Sequence, residues 1–323
     1  MPGTDGWIYT SILWDPDGAG PAAPQLAIAG SFAIAGGQPA NSIAAWDPIS
    51  GSWAPLGLGI AGSVRALTAL PNGDLIAGGS FTAAGGVAAN SIARWDGNTW
   101  SPLGAGVAGG FFAGVAALAV DGNGDLLVGG SFTSAGGQPA SRIARWNGTG
   151  WSPLGGGVAV GSGVSTLAML PNGDLVVGGD FTLAGATVVG GVLTGVPAAG
   201  LARWSGGSWS AFSGGGATGG SVEALLVLQN GDLVVGGSFT SFGGAVATQV
   251  VSRNGSTWSA IGAGLGAPGD QHQRAVFGVQ RLLIGAGGAY GSPRFDRRRS
   301  CESGKQPRLR YPARSGSPVV GLA

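Results

Sequence analysis

Two acids are the nearest approach to a catalytic pair in this chain. Asp180 stands where the sibling segments carry serine (Ser31, Ser80, Ser131 and Ser238), and Glu223 is the only glutamate in the repeated part of the sequence. They fall in adjacent copies of a repeat, so their carboxyls would meet across the joint between copies. Glycoside hydrolysis uses such a pair, about 5 to 9 Å apart and flanking a cleft: one carboxyl protonates the leaving oxygen, the other attacks or activates water. The plainer expectation is two solvated acids on a β surface. Arg142, Asp121 and Arg253 also depart from the wording of their copies, which makes them the candidate binding residues.

Residues that recur in the copies are explained first by the copies themselves. Asp74, Asp125, Asp174 and Asp232 each follow an Asn-Gly pair. They form either a ring of carboxylates or a set of turn acceptors, and turn chemistry accounts for them at less cost. No D-x-D-x-D run and no His/Cys cluster accompanies them, so no metal or cofactor is expected. Arg94, Arg145 and Arg203 precede a tryptophan, and strand alternation puts them on the opposite face, as solvated or stacking arginines. The tryptophans would suit sugar rings, but at fixed repeat positions they read as core between copies. P-loop, GxSxG and HExxH motifs are absent.

The element that must position these residues is seen most plainly in Val115–Gly155. An apolar run of strand length (115–120) leads to Asn123-Gly124, a pair that accepts positive φ at both central positions of a hairpin turn. A second apolar strand closes on a glycine pair, and a Gly-rich loop with one proline follows. Ile143–Trp146 and Trp151–Leu154 supply a third and a fourth strand around a further Asn-Gly turn. Four short antiparallel strands in roughly fifty residues is the content of a propeller blade.

Five copies align on Phe32, Phe81, Phe132, Phe181 and Phe239, with third-strand aromatics at Trp46, Trp95, Trp146 and Trp204 and fourth-strand aromatics at Trp53, Trp100, Trp151, Trp209 and Trp258. Arg253 takes the third-strand position in the fifth copy. The fourth copy carries an insertion within 186–199, and DPDGAGPAAPQ stretches the first hairpin of copy one. The resulting expectation is an all-β propeller over residues 1–265, with blades at about 8–57, 64–104, 115–155, 164–213 and 222–262. Residues 266–323 would hold a degenerate partial sixth blade around Arg281–Ala286 and then an Arg-rich tail. The sequence leaves closure of the ring open.

Charge divides the chain at the same place. Residues 1–265 hold six arginines, no lysine and twelve acids, a net of −6, while 266–323 hold nine arginines and one lysine against three acids, a net of +7. The tail is read either as a disordered basic segment or as the product of a shifted reading frame. An acidic repeat region argues against nucleic acid as a partner. The apolar run 102–120 has the length of a membrane span but lies in register with the repeat, so no span is expected. MPGTDGWIYTS has neither a basic nor an apolar region of a secretory signal. One cysteine gives no disulfide framework.

The glycine doublets (Gly78-Gly79, Gly129-Gly130, Gly178-Gly179, Gly236-Gly237) and the Trp95-Asp96 to Trp100 run resemble kelch and galactose-oxidase-type propeller repeats. The wording is also similar to propeller repeats of fungal cortical polarity markers and of secreted bacterial proteins, over roughly residues 8–262. This resemblance implies a propeller fold and an extracellular or cell-surface setting. Copper-radical oxidation, which in the resembled enzymes uses two His and two Tyr, does not carry over: the single histidine, His272, lies outside the repeats, and only Tyr9 of three tyrosines is inside them. The function expected is a non-enzymatic binding or scaffold module for a protein or glycan ligand. The alternatives are a carbohydrate-active propeller enzyme or lectin-like glycan binder using Asp180 and Glu223, and a fragment with no independent function.

Overall fold

The computed structural model describes residues 3–18, 20–110, 114–212, 214–246 and 249–261. Within them the chain is all β, a propeller of five blades whose main sheets each order their strands first, second, third, fourth. Blade one uses Trp7–Trp14, Gln25–Ser31, Ile43–Asp47 and Ser52–Pro55, and blade two Ile60–Ala69, Leu75–Ala84, Ile92–Trp95 and Trp100–Pro102. Blade three uses Val115–Val120, Leu126–Gly130, Ile143–Trp146 and Trp151–Pro153. Blade four uses Val164–Met169, Leu175–Gly179, Leu201–Ser205 and Ser208–Ala211, and blade five Val222–Val227, Leu233–Gly237, Val250–Asn254 and Thr257–Ala260. No strand pairing joins blade five to blade one among the described residues. The expected sixth blade and the basic tail lie outside them.

In blades two to four the second strand is buried along its whole apolar run because a blade covers each face, whereas in blade one Leu26 is exposed. In blade two, Leu75 and Ala77 pack toward blade one, while Ile76 and Ile92 pack toward blade three. Four hydrophobic clusters each span one of the four joints between successive blades. An inner blade is therefore half of two cores, which is how a repeat too thin to bury two faces becomes stable.

The glycine doublet serves two contacts at once. A side chain on the first glycine would enter the next blade: a Cβ at Gly129 would sit 2.5 Å from Val164 Cγ1, and one at Gly178 2.6 Å from Val222 Cγ1. A side chain on the second would strike main chain of the same blade, the carbonyl oxygen of Ser63 for Gly79 and of Gly114 for Gly130. Opposite this second glycine the first strand bulges. Its register steps from Ile8 to Thr10, Val64 to Ala66, Val115 to Ala117, Val164 to Thr166 and Val222 to Ala224, leaving one extra residue per blade.

Tryptophan ties blade to blade. The third- and fourth-strand rings of one blade stand at 5.1 to 5.3 Å between centroids in blades one to four. The fourth-strand indole then donates to a carbonyl of the preceding blade: Trp100 to Leu56 at 2.8 Å, Trp151 to Leu103 at 2.8 Å, and Trp209 to Gly155 at 2.9 Å. These side chains act as joint core with a polar tether, not as exposed platforms.

Two turn expectations are corrected. Asn123-Gly124 does not place both residues at positive φ; only Gly124 (φ 84) does, as do Gly73, Gly173 and Gly231. The loop has three residues, with Gly124 N–H donating to Asp121 O at 3.0 Å and Asp121 N–H to Asp125 O at 2.9 Å. That is a type I turn closed by one left-handed glycine, and asparagine fits it through its side chain. The doubly left-handed pair is Gly136-Gly137 (φ 59 and 78), which turns a small hairpin inside what the sequence presents as a plain loop. In blade four the insertion extends this hairpin to Leu183–Val189 and Val192–Pro197. The apolar run 102–120 supplies strands at Val107–Ala108 and Val115–Val120, and among the described residues no helix is long and apolar enough to cross a membrane.

Candidate functional site

Each residue that departs from the repeat has a definite place. Asp180 holds the segment entering the first strand of blade four: Oδ1 accepts from the main-chain N–H of Ser162 (2.5 Å) and Gly163 (3.0 Å), and Oδ2 from the Ser162 hydroxyl (2.8 Å). Its sibling Ser238 accepts from Ser221 N–H at 3.1 Å, the same task with a shorter side chain. Arg142 sits at positive φ (65), a conformation its copies share at Ser42, Ser91, Gly200 and Gln249. Its guanidinium donates to Val158 O (3.0 Å) and Gly161 O (2.8 Å), fastening blade three to the link into blade four.

Asp121 caps its turn, accepting from Asn123 N–H at 2.8 Å and Asp125 N–H at 3.0 Å. It also lies 3.8 Å from Arg145, whose main partner is Asp125. This pairing recurs. Arg94 meets Asp74 at 3.4 Å, and Arg203 meets Asp174. The arginines before the third-strand tryptophan are partly solvated, and each also reaches across its sheet to the turn aspartate of its own blade. The Ser205 hydroxyl first, then Arg203 and Asn172, hold the Asp174 carboxyl below the usual carboxylate range against the opposing pull of burial.

Arg253 fills the vacant tryptophan slot of blade five. Its guanidinium carbon lies 5.2 Å from the Phe212 ring of blade four and 5.8 Å from that of Trp258, so a cation spans the joint that two indoles span elsewhere. Burial, then the nearby charge of Arg203, lowers its pKa from the ordinary arginine value.

Glu223 is placed differently from the others. It is the bulged residue of its first strand, half-buried, with the Ser221 hydroxyl donating to Oε1 at 3.3 Å. The bulged residues of the remaining blades are Tyr9, Arg65, Ala116 and Ser165. First strands of successive blades adjoin one another, so these five positions form a row at one level of the inner rim. The Arg65 guanidinium carbon lies 6.0 Å over the Tyr9 ring, which shows directly that neighbours in the row meet. Tyr9, Arg65 and Ser165 are exposed. Over the five first strands the only charged side chains are Arg65 and Glu223, both at the bulge. Sequence reasoning singled out Glu223 alone. The wording Val-x-Ala/Thr-Leu with a changing x (VRAL, VAAL, VSTL, VEAL) recurs at this position in blades two to five, and blade one reads IYTS.

Among the described residues, a cleft of about 120 Å³ lies between blades three and four, lined by Asp121, Arg145 and Trp204 among others. Another, about 420 Å³, lies against blade four and the segment that leaves it, lined by Pro197, Ala198, Ala211, Phe212 and Gly216 among others. Neither is lined by Asp180 or Glu223.

A family model described as a domain of unknown function (DUF5122) beta-propeller matches residues 122–150, from the first turn of blade three to the edge of its fourth strand. Among solved structures the chain is similar to YCF48 bound to D1 peptide, with 15% identity and a TM-score of 0.38, over 72% of this chain and 62% of that one. It is also similar to a GH74 xyloglucanase from Xanthomonas campestris, with 16% identity and a TM-score of 0.47, over 80% of this chain and 38% of that one. The chain spans less than two thirds of the length of either structure. No curated protein matches it significantly.

Proposed function

We propose that this chain is a non-enzymatic β-propeller binding module, and that its ligand lies along the row of bulged residues Tyr9, Arg65, Ala116, Ser165 and Glu223. One observation carries the proposal. The five first strands carry charge only at the bulge, where each blade presents a different side chain. A recurring frame with a different side chain at the same bulge of each blade is suited to recognition, because the frame positions the contacts and the variable residues choose among ligands. The other departures are engaged elsewhere: Asp180 and Arg142 hold main chain, Asp121 caps a turn, and Arg253 fills a joint. The kelch-type wording of the repeat, and the extracellular or cell-surface setting it implies, belong to the same reading.

The test is a screen of the purified chain against glycan and peptide arrays, followed by titration of the best ligand. Ala116→Trp and Ser165→Trp place bulk in the row, at a half-buried and at an exposed position. Each should weaken binding about tenfold or more, and Ser165→Trp should do so with an unchanged melting temperature. Binding indifferent to both, or turnover of a bound glycan abolished by Asp180→Asn, would overturn the proposal.

A further inference from the structure

We infer that the ligand of this row is an extended peptide segment carrying both an acidic and a basic side chain. The inference rests on the row being the ligand site and goes on to name the class that fits it. The row has one sign of charge near one end and the opposite sign at the other: Arg65 with the Tyr9 ring beside it in blades one and two, Glu223 in blade five. Between them come Ala116 and Ser165, small side chains that leave room for a main chain and offer one hydroxyl.

Spacing excludes a small zwitterion. Sheets packed face to face lie about 10 Å apart, so three joints separate the two charges by on the order of 20 to 30 Å along the rim. No single amino acid or monosaccharide touches both. An extended peptide advances about 3.3 Å per residue, so roughly six to nine residues cover that distance. Chemistry excludes the common alternatives. Most polysaccharides are neutral or of one sign, and nucleic acid is polyanionic, which the net −6 of residues 1–265 opposes. Among abundant biological polymers, polypeptide places a carboxylate and a cation at a chosen separation. The peptide acid pairs with the exposed Arg65 guanidinium, for which a bidentate carboxylate contact is the strong geometry. Its basic residue approaches Glu223.

The experiment titrates the full chain with ten-residue peptides that carry one acid and one base at spacings of two to nine residues, read by fluorescence polarisation at low and high salt. Wild type should select one spacing and orientation, and its affinity should fall with salt. Arg65→Glu and Glu223→Arg should each weaken that peptide about tenfold or more, and Arg65→Glu should leave the melting temperature unchanged because its position is exposed. The double reversal should recover affinity for the peptide with its two charges exchanged. That exchange is the readout a merely structural role would not give.

Failures separate cleanly. If a ligand is lost in Ser165→Trp but is indifferent to both charge reversals, or is a neutral glycan, the row stands as the site and the peptide inference falls. If no peptide of the set binds at millimolar concentration, the inference also falls. If the best ligand survives every substitution in the row, the proposed function falls with it.

Discussion

Val115 and Ile8 hold the same place in their blades and meet opposite environments. Each precedes the bulge of a first strand and pairs with the glycine at the end of the second strand's apolar run, Gly130 for Val115 and Gly30 for Ile8. Val115 is fully buried against blade two, whereas Ile8 is 42% exposed. Leu126 and Leu26 repeat the contrast on the second strand, at 1% and 39%. Blade one ends the array: its face toward blade two is a complete joint, and its other face is a half-joint with no blade against it among the described residues. Ile28, Phe32, Ala35, Ala40 and Ala44 still pack together there with Trp53, so the blade keeps its shape. The difference teaches that the repeat encodes complementary halves. Burial belongs to the pair of blades, and the same residue types contribute to stability only where a partner blade covers them.

The largest effect that would break this comparison is a buried charge. Val115→Asp puts a carboxylate into a joint with no partner, which should cost about 4 kcal/mol or more and leave the chain unfolded or aggregated at room temperature. Ile8→Asp should cost less than about 1 kcal/mol, because water already reaches that side chain. Urea midpoints of the two variants give the answer. Equal damage from Ile8→Asp would mean that something covers this face of blade one in solution.

A smaller effect sharpens the account of the joint itself. Gly129→Val drives a branched side chain into Val164 of blade four, and overpacking of this kind costs about 1 to 3 kcal/mol. Val164→Ala should recover part of that loss in the double variant, a positive coupling in a mutant cycle read by denaturation. Simple additivity would show that the doublet's first glycine is not there for the neighbouring blade. Blade one carries Ala29 at this place, so its joint with blade two already holds a Cβ.

The indole tethers come next. Trp151→Phe removes the donor to Leu103 and strands a carbonyl at the joint between blades two and three, a loss of about 1 to 2 kcal/mol. Trp53→Phe in blade one, which has no preceding blade among the described residues, should cost under about 0.5 kcal/mol beyond the change in ring area. Comparable losses at the two sites would remove the tether from the explanation.

What the sequence made legible follows from how each feature is encoded. The period, the tryptophan ladder and the insertion are local wording, and they place the blades. The doublet was visible as a mark of the strand end, yet its two glycines answer to different contacts, one in the next blade and one in the bulge, and only the packed array separates them. The bulge is a register event between strands, so Val-x-Ala-Leu gave no hint that x was the exposed residue; Glu223 drew notice for its type and Arg65 did not. The arginine–aspartate pairs were encoded openly as a constant offset of 20 positions in blade three, widened to 29 in blade four by the nine-residue insertion. Strand alternation correctly sent the arginine away from the tryptophan face, but alternation carries no information about how far a long side chain reaches toward its own turn.

Those pairs supply the finest test of the contrast, because blade one lacks them: Gln25 and Ala45 occupy the positions of Asp74 and Arg94. Asp174 is held below the usual carboxylate range by Ser205, Arg203 and Asn172, so the folded chain binds its proton more weakly than the unfolded chain does. Unfolding therefore takes up a proton at acid pH. The stability it contributes is present in full above the ordinary carboxylate range, from about pH 5 upward, and is lost as pH falls through and below that range toward the folded value. With Arg203 still 39% exposed, the pair is worth about 0.5 to 1 kcal/mol at neutral pH. Asp174→Asn should lower the neutral melting temperature slightly and flatten the fall in stability between about pH 5 and pH 3. Gln25→Asp with Ala45→Arg should add a comparable acid-sensitive increment to blade one, if a blade needs only itself to form the pair. A gain in the natural pairs with none in blade one would tie even this intrablade contact to the presence of a neighbouring blade.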